Sequence, residues 1–509
     1  MSRHLKFFSL LLLLIAGTAV LSLWSDFPYF YHTDEPGKSR QIIEGSRNLH
    51  HPPLMLESAN VLVRVLGRPL ESQSVTETGR LLSALFCASA AALLVLTWSR
   101  FRPWPEAMLA GVLLLLQPDV QEYARFFKED PSLMFGWAAV FAAMAFVEKR
   151  PDRWSCMALG AAVAIAASAK YVGIIMVIPA AWILFVTARQ RSNEAAFSPS
   201  KEFYLPAVVV FLVLLAAINH RLWLDPATFR ASLGKETTLV LEGQGSVTKS
   251  LPHGGFFERL LNRSVHLLPF VALGWWTTWK QRRELSSTIV LLVLSPWALA
   301  LMLAFSAKDS GRYFMPGTLG LVAASTLGVS ALCNLAKSTK VQTRVALTCT
   351  LIVLGGSVAR CWDYFRGFQS DARKEMLVWI SENLPPGSHV LQGRKVTLPD
   401  SSGQYADAWH IQLPGHIRLD TCKLVSSLVS SPAEARARGF THIALSGDEY
   451  DVYLGDNKAK ASKADDFARR RDFYQTLFRD GKIIWDRPSG KVGTHQPPLR
   501  LIELPPAPP

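Results

Sequence analysis

Two adjacent carboxylates, Asp34 and Glu35, come about ten residues after an uncharged apolar run, Phe7 to Trp24. If that run crosses a bilayer, the pair lies where the chain leaves the lipid, and a carboxylate there can act as general base on a lipid-borne substrate. The same pair also suits a solvated loop, or the start of a helix over 41–49, because acidic residues favour helix N-termini. Further along, His51 precedes Pro52 and Pro53. It can bind a substrate hydroxyl or a phosphate, and it reads equally well as part of a rigid turn. Between two later apolar runs, Asp119, Glu122, Arg125, Lys128, Glu129 and Asp130 pack six charges into one short link. Charge at membrane depth usually faces a cavity or a site, and a solvated turn is the alternative. Lys170-Tyr171 interrupts an otherwise continuous apolar stretch, and Lys308, Asp309, Arg312 and Tyr313 form a similar cluster. A lysine meets phosphate as a point charge and an arginine as a planar fork. Singly, each of these basic residues also fits a boundary side chain reaching for water.

The elements that must position these residues are membrane spans. Half of the 509 residues are hydrophobic, and they fall in long charge-free runs of the length needed to cross about 30 Å of hydrocarbon. Eleven such runs are expected: 7–24, 81–98, 105–118, 132–147, 154–169, 171–187, 203–218, 265–279, 287–305, 313–333 and 345–360. The first follows Arg3 and Lys6, a start that a cleaved signal peptide shares, but its length and the runs behind it favour a retained helix. Alternate links carry the basic residues: Arg100 and Arg102; Lys149, Arg150 and Arg153; Arg189, Arg191 and Lys201; Lys280, Arg282 and Arg283; Lys337, Lys340 and Arg344. The positive-inside rule puts these on the cytoplasmic side with the N-terminus. The loops over 25–80, 119–131 and 219–264, and everything after the last run, are then external. The formal net charge of +14 follows this topology, so nucleic acid is not an expected partner.

The fold class expected is a mainly α-helical polytopic membrane protein, residues 1–360, followed by a small extracytoplasmic α/β domain, residues 361–509. In that domain the pattern predicts a helix from Asp371 to Leu384, stopped by Pro385-Pro386-Gly387. Strands are predicted at His389–Leu391, His442–Ser446 and Lys482–Trp485, with a charged helix near Lys463–Arg479 and a disordered Pro-rich tail from Pro505. Within the loop after the first span, Leu54 to Leu66 has the stripe of an amphipathic surface helix. Cys87, Cys156, Cys333 and Cys349 lie in apolar runs, whereas Cys361 and Cys422 fall in the external part and can pair only if their geometry allows.

In combination, Asp34-Glu35, His51-Pro52-Pro53-Leu54, Ala124-Arg125 with Glu129-Asp130-Pro131, Lys170-Tyr171 and Arg312-Tyr313 resemble the GT-C fold glycosyltransferases. The resemblance is to family 39, the dolichyl-phosphate-mannose-protein mannosyltransferases and lipid A aminoarabinose transferases, and especially its bacterial relatives, over roughly residues 1–390. It implies an inverting hexosyl- or pentosyltransferase of a bacterial inner membrane, using a polyprenyl-phosphate sugar and an extracytoplasmic hydroxyl on a lipid, glycan or protein. It implies Asp34, with Glu35 beside it, as the catalytic base; Arg125, Lys170, Arg312 and Tyr313 as donor-phosphate contacts; and His51, Glu129 and Asp130 as substrate contacts. No cofactor and no metal are expected, although Asp34, Glu35, Glu129 and Asp130 have the oxygen chemistry to hold a divalent cation. A transporter or flippase of a lipid-linked or anionic solute is the alternative. It would call for charge inside the helices or an inverted repeat, and neither is evident.

Overall fold

The structure, a computed structural model, describes residues 2–192, 201–242, 247–248, 262–306, 311–403, 414–422 and 429–506. They form two compact units. Lys308 and Asp309 lie outside the described residues.

The first unit comprises Met1–Ser25, Asp34–Leu241 and Leu251–Trp362, and its regular elements among the described residues are helices. Each of the eleven apolar runs coincides with helix. They are α1 (Arg3–Ser22), α4 (Ser72–Ser99), α5 (Trp104–Leu115), α7 (Glu129–Lys149), α8 (Arg153–Ala169), a 3-10 turn (Tyr171–Met176) continuing into α9 (Val177–Ser192), and α10 (Lys201–Ile218). Then come α13 (Leu268–Lys280), α14 (Ser287–Ala304), α15 (Gly317–Leu335) and α16 (Thr339–Gln369), the last of which runs on past Trp362. Among the described residues six helices are long and apolar enough to cross a membrane, and four shorter apolar ones accompany them.

Between the spans lie α2 (Glu35–Ile43), α3 (Leu54–Val65), α6 (Pro118–Tyr123), α11 (His220–Leu224) and α12 (Pro226–Glu242). Helix α3 is the expected amphipathic element. Its Met55, Leu56, Ala59 and Val63 are buried with Ile42, Val75, Leu82 and Phe127, while Val61 and Val65 are exposed. The helix expected over 41–49 instead begins at Glu35 and ends at Ile43.

Small residues let the spans approach closely, as packing within lipid requires. A Cβ on Gly136 of α7 would stand 2.6 Å from the Ala166 Cα of α8. Gly274 of α13 and Gly328 of α15 each abut backbone of the other helix, at Ala324 and Phe270.

The second unit comprises Asp26–Thr33, Glu242–Ser250 and Asp363–Pro509. A short ladder joins β1 (Val247–Thr248) to β5 (Lys458–Ala459). The main sheet contains β2 (His389–Gly393), β3 (Arg418–Cys422), β4 (His442–Ser446), β6 (Lys482–Arg487) and β7 (Leu499–Glu503) in the order β3-β2-β4-β7-β6. β2 is parallel to β3 and β4; β7 is antiparallel to β4 and β6. β7 corrects the reading of Lys482–Trp485 as the last strand.

The helices of this unit are α17 (Ala372–Asn383), capped by Asp371, then α18 (Pro432–Ala437), α19 (Gly447–Leu454) and α20 (Ala464–Asp480). Side chains alternate across the sheet. Val390, Ala444, Leu499 and Leu501 join Met376, Leu377 and Ile380 of α17 on one face, while Leu391, Ile443, Leu445 and Ile502 join Phe473, Tyr474 and Leu477 of α20 on the other. Phe30 and Tyr31, from the segment after α1, are part of the first of these cores. Cys361 is a free, buried thiol in α16 that donates to the Leu116 carbonyl at 2.7 Å. The Cys422 side chain lies outside the described residues.

Candidate active site

Asp34 and Glu35 are neighbours in sequence and have different fates. Asp34 is the N-cap residue of α2 without making a side-chain cap. Glu35, in the first turn, is fully buried. Its oxygens take a bidentate pair from Arg80, Nε to Oε1 at 2.9 Å and Nη2 to Oε2 at 2.6 Å, and the Phe127 N–H donates to Oε1 at 3.0 Å. A carboxylate enclosed in this way holds framework together, a setting different from that of Asp34, with which it was paired as a catalytic candidate.

Asp34 sits instead in an open charge cluster. Its Oδ2 is ion-paired with the Lys128 ammonium, and Arg312 Nη1 lies 3.7 Å away. Arg312 Nε is 3.8 Å from Asp130 Oδ2, and Asp130 Oδ1 accepts from Lys170 at 2.7 Å. Glu129 pairs with Lys38 and stands 4.0 Å from His51 Nε2. The Tyr313 ring carries the Lys170 ammonium at 4.4 Å and the Arg312 guanidinium at 5.5 Å. The Asp34 side chain is 40% exposed, against 5% for Glu129 and 1% for Asp130. It is the accessible carboxylate of the three.

The cluster forms because each contributor stands where a span begins or ends on one side of the bundle. Asp34 follows α1, Lys128 to Asp130 start α7, Lys170 closes α8, and Arg312 lies in the 3-10 turn Gly311–Phe314 before α15. The basic links at the other helix ends contribute nothing to it. Arg125 is directed elsewhere: its guanidinium donates to the carbonyls of Val20 at 2.9 Å and Leu23 at 3.0 Å and to Gln121. It ties down the end of α1, and these carbonyls, not the Asp34 cluster, take its donors, although the sequence offered it as a phosphate contact.

Burial, reinforced by Lys38 and Arg312, pushes Lys128 down to about 8 despite Asp34 and Glu129. Burial also carries His51 down to about 4, against the opposing pull of Glu129, so its ring is neutral near pH 7. Burial works against the charge on Arg312, but Asp130, Tyr313 and Asp34 outweigh it and hold the guanidinium above its usual range. Lys38 and Arg80 escaped sequence reading, and Lys128 was read only as one of six charges in a short link. Arg80 directly precedes the apolar run over 81–98 and reads as a boundary residue there, and the short charged link was the signal for Lys128. Among the described residues no group of three or more His, Cys, Asp and Glu is placed to hold a metal ion.

Residues 51–220, about a third of the chain, match the family described as dolichyl-phosphate-mannose-protein mannosyltransferase. The match includes His51, Glu129, Asp130 and Lys170 and stops short of Asp34 and Arg312. Among solved structures, ArnT from Cupriavidus metallidurans bound to undecaprenyl phosphate superposes with a TM-score of 0.54 at 14% identity, covering 96% of this chain and 97% of that one. This chain has the GT-C fold. The apo oligosaccharyltransferase of Archaeoglobus fulgidus, another GT-C structure, gives 0.53 at 10% identity over 93% of this chain and 80% of that one. No curated protein matches by sequence.

Proposed function

We propose that the protein is an integral-membrane, inverting glycosyltransferase that moves a sugar from a polyprenyl-phosphate donor to an extracytoplasmic hydroxyl on a lipid, glycan or protein. The observation that carries this reading is the half-open Asp34 carboxylate held between Lys128 and Arg312, with Lys170 beyond them on Asp130. Asp34 takes the proton of the acceptor hydroxyl as its oxygen attacks the anomeric carbon. The bond from that carbon to the phosphate oxygen breaks, and the oxygen leaves with the electron pair as polyprenyl phosphate. Arg312 and Lys170 face the charge that develops on it, where fixed cations in a water-poor site lower the barrier most.

Arg312 reaches both carboxylates at longer than hydrogen-bonding range, an arrangement that can tighten on an incoming phosphate. His51, neutral and beside Glu129, suits a hydrogen bond to a sugar hydroxyl. Asp34, Glu129 and Asp130 each face an ammonium or guanidinium; we therefore read the reaction as metal-independent, with the cations taking the charge that a metal would otherwise neutralise. The test is to incubate the purified protein and an Asp34→Asn variant with a panel of polyprenyl-phosphate sugars and membrane extract. Donor consumption lost in the variant supports the proposal. No consumption by the parent, or equal consumption by the variant, overturns it in favour of transport.

A further inference from the structure

The second unit carries an open groove of about 520 Å³, lined by Gln369, Ser370, one side of α17 and Trp485. That volume falls in the range of roughly 300–1,000 Å³ in which proteins hold small ligands. Spacing in the sequence explains one wall. Asp371, Lys374, Glu375, Val378, Trp379 and Glu382 recur at intervals of three and four residues and so share a side of α17. The stripe that closes the core is a different one, Met376, Leu377 and Ile380. The facing wall is β6, an edge strand of the sheet. Trp485 and Arg487, two residues apart on it, point to the same face. Arg487 reaches across to α17 and donates through Nε and Nη2 to the two oxygens of Glu375.

The lining combines flat apolar surface with fixed acceptors. Trp379 and Trp485 are half-buried, each packed on the core in part and turned to the groove in part. Asp371 caps α17, its Oδ1 accepting from the Arg373 N–H at 2.9 Å and the Lys374 N–H at 3.3 Å, which leaves Oδ2 without a partner among the described residues. Glu375 is held by Arg487 and keeps lone pairs to spare. Charge is close to balanced, because Arg487 offsets Glu375 and Lys374 stands by Asp371. A lone ion is therefore a poor match, and a neutral ring rich in hydroxyls is a good one. The C–H face of a sugar is apolar, with slightly positive hydrogens that lie well on the electron-rich face of an indole. Its hydroxyls donate to anchored carboxylates in bonds stronger than neutral ones.

We propose that this groove is a saccharide-binding site of the C-terminal domain, with Trp379 and Trp485 as its platform and Asp371 and Glu375 as hydroxyl acceptors. The inference concerns binding alone. It does not rest on the glycosyltransferase reading, and donor turnover has no part in its test.

The test uses the full chain in nanodiscs of phosphatidylethanolamine and phosphatidylglycerol, free of sugar-based detergent. Maltose, cellobiose, mannobiose and lactose are titrated, and saturation transfer to their C–H protons is read by NMR. We expect at least one to bind the parent with Kd on the order of 1 mM and to slow amide exchange over α17 and β6. Trp379→Ala and Trp485→Ala should each raise Kd on the order of 10-fold, as loss of an aromatic anchor does, while β4 and β7 keep parental protection. If either variant loses that protection, Val378→Trp decides in its place: it fills the groove, takes nothing from the core, and should weaken binding as much. No binding by any of the disaccharides, slowed exchange elsewhere than α17 and β6, or a parental Kd in the folded variants would overturn the proposal. Binding of choline, or of a tetra-alanine strand that protects β6, with no disaccharide bound would overturn it too, making the groove a cation cage or a strand-pairing edge.

Discussion

Glu35 and Asp34 show how far two adjacent carboxylates can diverge once one of them enters a helix. Removing one partner of a buried ion pair leaves the other charge uncompensated, at a cost of about 3–5 kcal/mol. Glu35→Gln should therefore lower the thermal unfolding temperature of the purified protein markedly, because Arg80 loses its bidentate partner. Asp34→Asn should leave that temperature close to parental and reduce kcat by roughly 10²- to 10⁴-fold, the range for a general base. The pair of measurements separates framework from chemistry. Lys128 supplies the pH dependence. As pH rises through about 8 its ammonium loses the proton, so the charge beside Asp34, and beside the departing phosphate, disappears. Activity should fall on that alkaline limb. In Lys128→Arg, which keeps its charge to higher pH, the limb should move up or vanish in a pH–rate profile.

At the scale of elements, the decisive contact is between α7 and α8, because Asp130 begins one and Lys170 ends the other. Their spacing depends on Gly136, which has no side chain where Ala166 comes closest. Gly136→Val should force the helices apart at an overpacking cost of about 1–3 kcal/mol. It should also weaken the Lys170–Asp130 contact, and a raised donor KM together with a lowered unfolding temperature would report both effects. The sequence made the two helices plain as separate apolar runs. It could not show that a glycine in one faces the other, because a helix face is chosen by its neighbours and not by its own pattern. The second unit repeats the lesson: His442–Ser446 is a strand at the residues expected, since an uninterrupted apolar run between turns has few alternatives, whereas β7 hid between prolines and only its pairing with β4 and β6 reveals it.

For the whole molecule, the alternation of basic and non-basic links predicts which side carries the site. A reporter that is active only outside the cytoplasm, fused after the last residue, should be active, and one fused after Lys149 should be silent. The opposite pattern would place Asp34 on the cytoplasmic side and remove an extracytoplasmic acceptor from consideration. All the cluster residues lie at the helix ends opposite those basic links, so a single topology determines the side for each of them.

Composition and periodicity by themselves determined that the chain is a bundle of apolar helices with a small α/β domain after it, because hydrocarbon leaves a backbone few ways to satisfy its own polar groups. They also placed Asp34, Glu129, Asp130, Lys170 and Arg312 near helix ends on one side. Only the tertiary structure decided which of these charges meet, that Glu35 and Arg125 are enclosed by partners and Asp34 is not, and that Phe30 and Tyr31 belong to a core assembled mostly from residues beyond 370. Ion pairing and burial depend on distances between residues far apart in the chain, and local sequence holds no record of those distances until the helices have packed.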